Sequence, residues 1–227
     1  MISLAPSMMC ADILELRSEL DALAEAGADL LHIDIMDGNY VPNFALNTDI
    51  MRAISESCAV PMDAHLMVRE PERYIELFAE AGAEIITPHI EMLEHPVRTL
   101  RRIRALGKKA GIAISPATDP SFLRFMLEYV DLVCVMTVDP GFAGQKLVPS
   151  AYQKLREVAE LVSRAGHEVR IMADGQVNLE TAPKMLAAGA DVLVLGSSGL
   201  FRCRRSEYAS VLSSFRALET KSGSLPA

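Results

Sequence analysis

Short, continuous apolar runs recur near residues 2–6, 30–35, 61–67, 84–89, 110–114, 131–136, 168–173 and 191–195. Runs of that length without polar alternation are expected of parallel strands covered on both faces. Between them apolar residues fall at helical spacing, near 12–26, 47–57, 71–81, 96–106, 119–128, 150–165, 178–188 and 206–219. Asp12, Asn47, the Glu70-Pro71 step and Asn178 stand where helix starts are expected. One phrase repeats: E-A-G-A-D-L-L at 25–31, E-A-G-A-E-I-I at 80–86 and A-A-G-A-D-V-L at 187–193. Each reads as a helix end, a Gly able to turn left-handed, and a strand. Looser copies at 105–114 and 164–173 bring the marked turns to Gly27, Gly82, Gly107, Gly166 and Gly189. Eight strands alternating with eight helices predict an α/β fold, the closed parallel (β/α)8 or TIM barrel. An open doubly wound sheet is the competitor; even spacing and the lack of G-x-G-x-x-G after the first strand argue against it. The expected division is a single catalytic barrel domain over 1–220 and a disordered tail, K-S-G-S-L-P-A, over 221–227.

Composition narrows the function classes. At 227 residues and 50% hydrophobic, the chain suits one domain with a large core. A net charge of −8 argues against nucleic acid as a partner. It does not exclude an anionic substrate, since backbone N–H groups at helix N-termini hold phosphate. Cys10, Cys58, Cys134 and Cys203 are widely spaced, and no disulfide framework is expected. The start M-I-S-L-A-P-S lacks the basic flank of a secretory signal, and no apolar run approaches a membrane span. The expectation is a cytoplasmic protein with no membrane partner.

Barrels of this type carry their chemistry at the C-terminal strand ends, and the polar residues of this chain gather there. Ser7 follows strand 1; His32 and Asp34 end strand 2; His65 and His89 end strands 3 and 4; Ser115 follows strand 5; Asp174 follows strand 7; Gly196, Ser197 and Ser198 follow strand 8. Residues i and i+2 of a strand share a face, so His32 and Asp34 point the same way. An Asp inside L-L-H-I-D-I-M is costly to bury unless paired or bound to metal. With His65 and Asp174 it makes a site suited to Zn²⁺, Mn²⁺, Fe²⁺ or Co²⁺; the alternative is a hydrogen-bonded polar layer without metal. Glycine turns at 136–145 (M-T-V-D-P-G-F-A-G-Q), 174–176 (D-G-Q) and 196–199 (G-S-S-G) together favour an anion site over ordinary turn glycines. Met36, Met67 and Met136 lie at the same end, either as core filler or as a dry wall beside a planar intermediate. His95 and His167 read as surface residues, and R-C-R-R (202–205) as a solvated helix start. His89 reads either as support for the site or as an ordinary strand-end histidine.

The motifs H-I-D-I-M-D-G-N-Y-V-P-N (32–43), H-L-M-V (65–68) and M-T-V-D-P-G-F-A-G-Q resemble those of the ribulose-phosphate 3-epimerase family. The resemblance runs from A-P-S at 5–7 to G-S-S-G-L-F at 196–201. The wording of the 136–145 loop and the S-G-L-F ending is most similar to the D-allulose-6-phosphate 3-epimerase branch. The resemblance implies a barrel of the ribulose-phosphate-binding type. It implies an isomerase that inverts C3 of a ketose phosphate through a cis-enediolate, with one divalent metal ion (Zn, Mn, Fe, Co or Mg). D-Allulose 6-phosphate is the favoured substrate and D-ribulose 5-phosphate the alternative. It implies His32, Asp34, His65 and Asp174 as metal ligands, with Asp34 and Asp174 also as acid and base. Ser7 and His65 would contact the sugar, and Met36, Met67 and Met136 would flank the enediolate. Gly141, Phe142, Ala143, Gly144, Gly175, Gly196 and Ser197 would surround the phosphate. A homo-oligomer, dimer or hexamer, is implied as well. One departure stands out: A-D-G-Q follows strand 7 where the family has V-D-G-G or V-D-G-S, so Gln176 takes the place of a small residue beside the phosphate. A lyase on the same barrel would need a different catalytic set, commonly a Lys at a strand end, and none is found there. A non-catalytic sugar-phosphate binder would be expected to lose one of the two Asp residues.

Overall fold

The computed structural model describes residues 1–222. Eight parallel strands form the barrel: β1 (Ser3–Pro6), β2 (Leu31–Met36), β3 (Met62–Met67), β4 (Ile85–Pro88), β5 (Lys109–Ile114), β6 (Leu132–Met136), β7 (Arg170–Asp174) and β8 (Val192–Leu195). Pairing runs β2 through β8 in sequence order and then to β1, and the ring closes between β1 and β2 through a parallel bridge, Ser7 to His32. This is the (β/α)8 barrel expected from the pattern. The helices around it are α1 (Leu16–Glu25), α2 (Thr48–Ser57), α3 (Ile75–Glu80), α4 (Pro96–Ala105), α5 (Ala151–Val162), α6 (Ala182–Ala187) and α7 (Tyr208–Ser222).

Local chemistry accounts for the boundaries. The side chain of Asn47 accepts from the N–H groups of Asp49 and Ile50 at the start of α2, and Asp12 accepts from Leu14. All five marked glycines have positive φ, between 74° and 103°. The acidic residue that follows two of those turns also has a job. Asp29 accepts from the N–H of Leu4 at 2.8 Å and Asp191 from that of Ile171 at 3.2 Å, and each pairs with an arginine, Arg216 and Arg170. The N-terminal rim of the barrel is thereby sewn by charge-assisted bonds, leaving the opposite rim to the site.

Two expectations need correcting. The helix predicted over 119–128 is instead a pair of 3₁₀ segments, Pro120–Phe125 and Leu127–Tyr129. Pro120, Leu123 and Met126 are buried while Phe122 and Phe125 are exposed. That burial spacing of three residues fits the 3₁₀ repeat rather than the α repeat. Lys221 and Ser222, assigned to the tail, continue α7; the rest of the assigned tail, 223–227, lies outside the described residues. Among the described residues no helix is long and apolar enough to cross a membrane. Cys10, Cys58, Cys134 and Cys203 are all free, as expected.

Candidate active site

Strand register builds the site in layers. His32 pairs in register with Asp63, Asp34 with His65, and Met36 with Met67. Because side chains two apart share a face, β2 and β3 stack imidazole and carboxylate below and methionine above. Asp174 ends β7 in register with Met136. His32 and His65 are completely buried, and Asp34 is 4% exposed. Nε2 of His32 lies 3.4 Å from Oδ1 of Asp34 and 3.4 Å from Oδ2 of Asp174. Nδ1 of His65 lies 3.3 and 3.6 Å from the same two oxygens, and the two nitrogens are 3.1 Å apart. Ser7 donates to Oδ2 of Asp34 at 2.7 Å.

These separations can be compared with what an ion needs. Ligands bound tetrahedrally at about 2.1 Å lie about 3.4 Å apart, and the donor atoms of His32, Asp34, His65 and Asp174 all fall within 4.8 Å of one another. The electrostatics agree. Burial opposes a charge on His32, but Asp34, then Asp174 and Asp63, outweigh it and push its pKa well above the ordinary value. Burial likewise opposes ionisation of Asp34, and His32 and His65 overcome it, holding the carboxyl far below the usual range. Two carboxylates converging on two imidazoles call for positive charge between them, and a divalent cation on this nitrogen–oxygen set supplies it. The four residues fit such an ion.

A supporting layer sets which nitrogen carries each proton. Asp63, fully buried, accepts from Nδ1–H of His32 at 2.9 Å, which leaves Nε2 as the atom facing the carboxylates, the one whose lone pair an ion would take in place of a proton. Thr87 donates to the other oxygen of Asp63 at 2.5 Å, and its hydroxyl fits because residue 111 of the next strand is Gly; a Cβ there would lie 2.0 Å from the Thr87 oxygen. His65 is set through His89, whose Nε2 lies 2.9 Å from Nε2 of His65. Nδ1 of His89 faces Oε2 of Glu91 at 3.1 Å and the Tyr40 hydroxyl at 3.0 Å. Burial disfavours the Glu91 charge, but the His89 hydrogen bond and its neighbours outweigh that and hold the carboxyl at about 2. Burial pushes His89 down to about 4, so this ring is neutral. Glu91 then accepts from Nδ1–H of His89, His89 accepts from Nε2–H of His65, and the Nδ1 lone pair of His65 faces the carboxylates.

Above this floor lies a cavity lined by Ser7, Asp34, Met36, Met67, Met136, Gly141, Phe142, Ala143, Gly144, Asp174, Gly175, Gly196 and Ser197. Of the residues expected to bind metal or substrate or to act on it, all are here except His32 and His65, which lie buried within the barrel among the carboxylates. His89 and Ser115, also expected at this rim, lie outside the lining, the Ser115 hydroxyl 2.8 Å from that of Tyr40. Gly175, at φ 117°, sits where a Cβ would come 2.6 Å from Val138. Its neighbour Gln176 also lines the cavity and holds φ 50°, a left-handed conformation costing a non-glycine residue about 1–2 kcal/mol. No Lys or Arg lines the cavity. In the R-C-R-R run, Arg205 pairs with Glu15 and Glu19, as a helix-start role predicts. His95 and His167 are exposed. Asp63, Thr87, Glu91, Tyr40 and Gly111 were not singled out. Asp63 was open to the same reasoning, because D-A-H at 63–65 is H-I-D at 32–34 in reverse, with the same spacing of two.

Comparison with known proteins identifies the family of the chain. A profile described as the ribulose-phosphate 3 epimerase family matches residues 3–201. The ribulose-phosphate 3-epimerase of Bacillus subtilis (strain 168) is 42% identical over 199 residues, 87% of this chain and 92% of that one. The ribulose-phosphate 3-epimerase of Escherichia coli (strain K12) is 39% identical over 196 residues, 86% of this chain and 87% of that one. Among solved structures, 3-hexulose-6-phosphate synthase from Salmonella typhimurium superposes with a TM-score of 0.66 at 19% identity, covering 97% of this chain and 100% of that one. Phosphoribosyl anthranilate isomerase from Thermus thermophilus gives 0.66 at 16% identity, covering 96% and 98%. At such identities the structural likenesses speak to the barrel alone.

Proposed function

The chain belongs to the ribulose-phosphate 3-epimerase family, and from that premise we propose that it interconverts D-ribulose 5-phosphate and D-xylulose 5-phosphate by inverting C3. The observation that carries the reading is the pair Asp34 and Asp174, brought from β2 and β7 to one cavity over a shared pair of histidines. Inversion at a carbon beside a carbonyl needs one group to take a proton and another to return one on the opposite face.

Asp34 has Oδ1 turned to the histidines and Oδ2 fixed by Ser7, so its plane is set before substrate arrives. Asp174 turns Oδ2 to the same histidines. One carboxylate takes the C3 proton; the other, as the acid, delivers a proton to the far face of the planar enediolate. For the reverse reaction the roles exchange. A divalent ion held by His32, Asp34, His65 and Asp174 would supply a Lewis acid for the negative charge that develops on the substrate oxygens. Met36, Met67 and Met136, none more than 6% exposed, form a wall that keeps water from the carbanionic centre. The turns carrying Gly141, Gly144, Gly175, Gly196 and Ser197 would hold the phosphate through main-chain N–H and hydroxyl donors.

The relatives favour ribulose 5-phosphate over allulose 6-phosphate, which the loop wording had put first. One letter behind that wording is Thr137. It is buried, donates to the main-chain oxygens of Asp174 and Gly175 at 2.9 and 2.6 Å, and is absent from the cavity lining. It serves the β7 turn rather than the substrate. The test is C3 epimerisation of both sugars in deuterated water, followed by NMR with and without chelator. Chelator-sensitive deuterium incorporation at C3, faster with ribulose 5-phosphate, is expected. Faster turnover of allulose 6-phosphate reverses the substrate assignment, and no exchange with either sugar after metal addition refutes the epimerase.

A further inference from the structure

The cavity holds three carboxylates, Asp34, Asp139 and Asp174, and no cationic side chain. A sugar phosphate entering it finds no lysine or arginine to pair with, so its phosphate must be held by uncharged N–H and O–H donors. Gly144 and Ser197 stand together among such donors, a Cβ on Gly144 lying 3.9 Å from the Ser197 hydroxyl.

Gln176 lines the same cavity, and its neighbour Val177 accepts from the Ser198 hydroxyl at 3.2 Å, which sets this turn against the one that carries Gly196 and Ser197. Its backbone is strapped down: the main-chain oxygen accepts from the Thr181 hydroxyl at 2.7 Å, and Thr181 in turn accepts from the N–H of Asn178 at 3.0 Å. Its side chain is not. The carboxamide, half-buried, makes no hydrogen bond within the described residues. The strain is also unusual in kind. Among the described residues the other non-glycine residue with positive φ is Glu70, at 51°, whose carboxylate binds Arg73 on the surface at 2.9 Å. Gln176 has no such local partner. A strained, unpartnered amide on the wall of a ligand cavity points to a partner that arrives with the ligand.

We propose that the Gln176 carboxamide is a specificity-determining group, donating N–H to the terminal phosphate of the substrate and so selecting phosphorylated over unphosphorylated ketose. The proposal rests on the ketose-phosphate reading for its substrate, but not for its anion. Its amide can approach a dianion without neutralising the nearby carboxylates, which a lysine at the same place would do. No lysine or arginine then competes with His32 and His65 for Asp34 and Asp174.

The decisive variant is Gln176→Gly, because glycine accepts the left-handed turn without strain and the fold is retained. Its KM for ribulose 5-phosphate should rise about tenfold, the effect of one lost hydrogen bond to a charged group, with the loss falling on KM rather than kcat. The inhibition constant of inorganic phosphate should rise by a similar factor, while kcat/KM for unphosphorylated D-ribulose stays put. Gln176→Glu, which faces the dianion with a charge, should weaken phosphate further than Gly does. Thermal stability of Gln176→Gly should be equal to or above that of the parent. If Gln176→Gly leaves both the substrate KM and inorganic phosphate binding unchanged, the proposal is overturned. Were the parent to lack epimerase activity, calorimetric titration with inorganic phosphate would still decide: weaker binding in Gln176→Gly supports the anion contact, and equal binding sinks it.

Discussion

Asp63→Asn changes one acceptor atom in the supporting layer of the site and little else in volume. The carboxylate is fully buried and accepts from Nδ1 of His32 at 2.9 Å and from Thr87 at 2.5 Å. An amide offers one oxygen for those two donors, and its NH₂ must face the other. His32 answers by moving its proton to Nε2, the atom 3.4 Å from both Asp34 and Asp174. A protonated Nε2 offers an ion no lone pair. The lost bond to a charged acceptor corresponds to about 1.5–3 kcal/mol, and loss of such an orienting partner weakens metal affinity about 10–100-fold. The assay is competition between apoprotein and a chromophoric chelator for Zn²⁺ or Mn²⁺, with circular dichroism to confirm the fold. Asp191→Asn is the control: Asp191 binds Arg170 and the Ile171 N–H at the opposite rim, so it should lower stability and leave metal affinity alone. Unchanged affinity in Asp63→Asn would refute the tautomer argument, and an equal loss in both variants would reduce it to general destabilisation.

Gly111→Ala puts a Cβ against the Thr87 hydroxyl and should cost about 1–3 kcal/mol by overpacking; an unchanged melting temperature counts against the close fit. Asp174→Asn should lower C3 deuterium exchange about 10²–10⁴-fold while the barrel's circular dichroism is retained; exchange at the parental rate removes Asp174 from the chemistry. Stability should also depend on His89. Its folded pKa of about 4 lies below the ordinary 6.5, because burial disfavours the charge. The unfolded chain therefore binds more protons between those values, so stability rises with pH across that window and is lost as pH falls through it, by up to about 3 kcal/mol. Urea unfolding across this range reads the slope, and His89→Gln should flatten it.

Much of this was open to reading because barrel periodicity repeats. The A-G-A-D phrase at 26–29 and 188–191 marks a helix end, a left-handed turn and a rim carboxylate at once. The four converging site residues were visible because charge inside an apolar strand is conspicuous. The supporting layer was harder. Glu91 lies in a single 3₁₀ turn, Ile90–Met92, and Tyr40 in a loop, and what makes them matter is the position of His89 in space, which no local pattern encodes. Gly111 looked like part of an ordinary strand, since its reason is a threonine one strand away. The segments Pro120–Phe125 and Leu127–Tyr129 are too short for sequence spacing to separate the two helix types, because period three and period 3.6 drift apart by less than one residue per turn.

The Ser7–His32 bridge has a mechanical consequence. The other seven joints of the ring are laddered strand pairs, whereas this one is a latch at the mouth. Its members are His32 and the residue whose hydroxyl holds Asp34. Whatever seats itself between His32, Asp34 and Asp174 therefore also fastens the hoop. Occupancy of the site and breathing of the β1–β2 seam should be two readings of one equilibrium, with amide exchange near Ser7 and His32 slowing as the site fills.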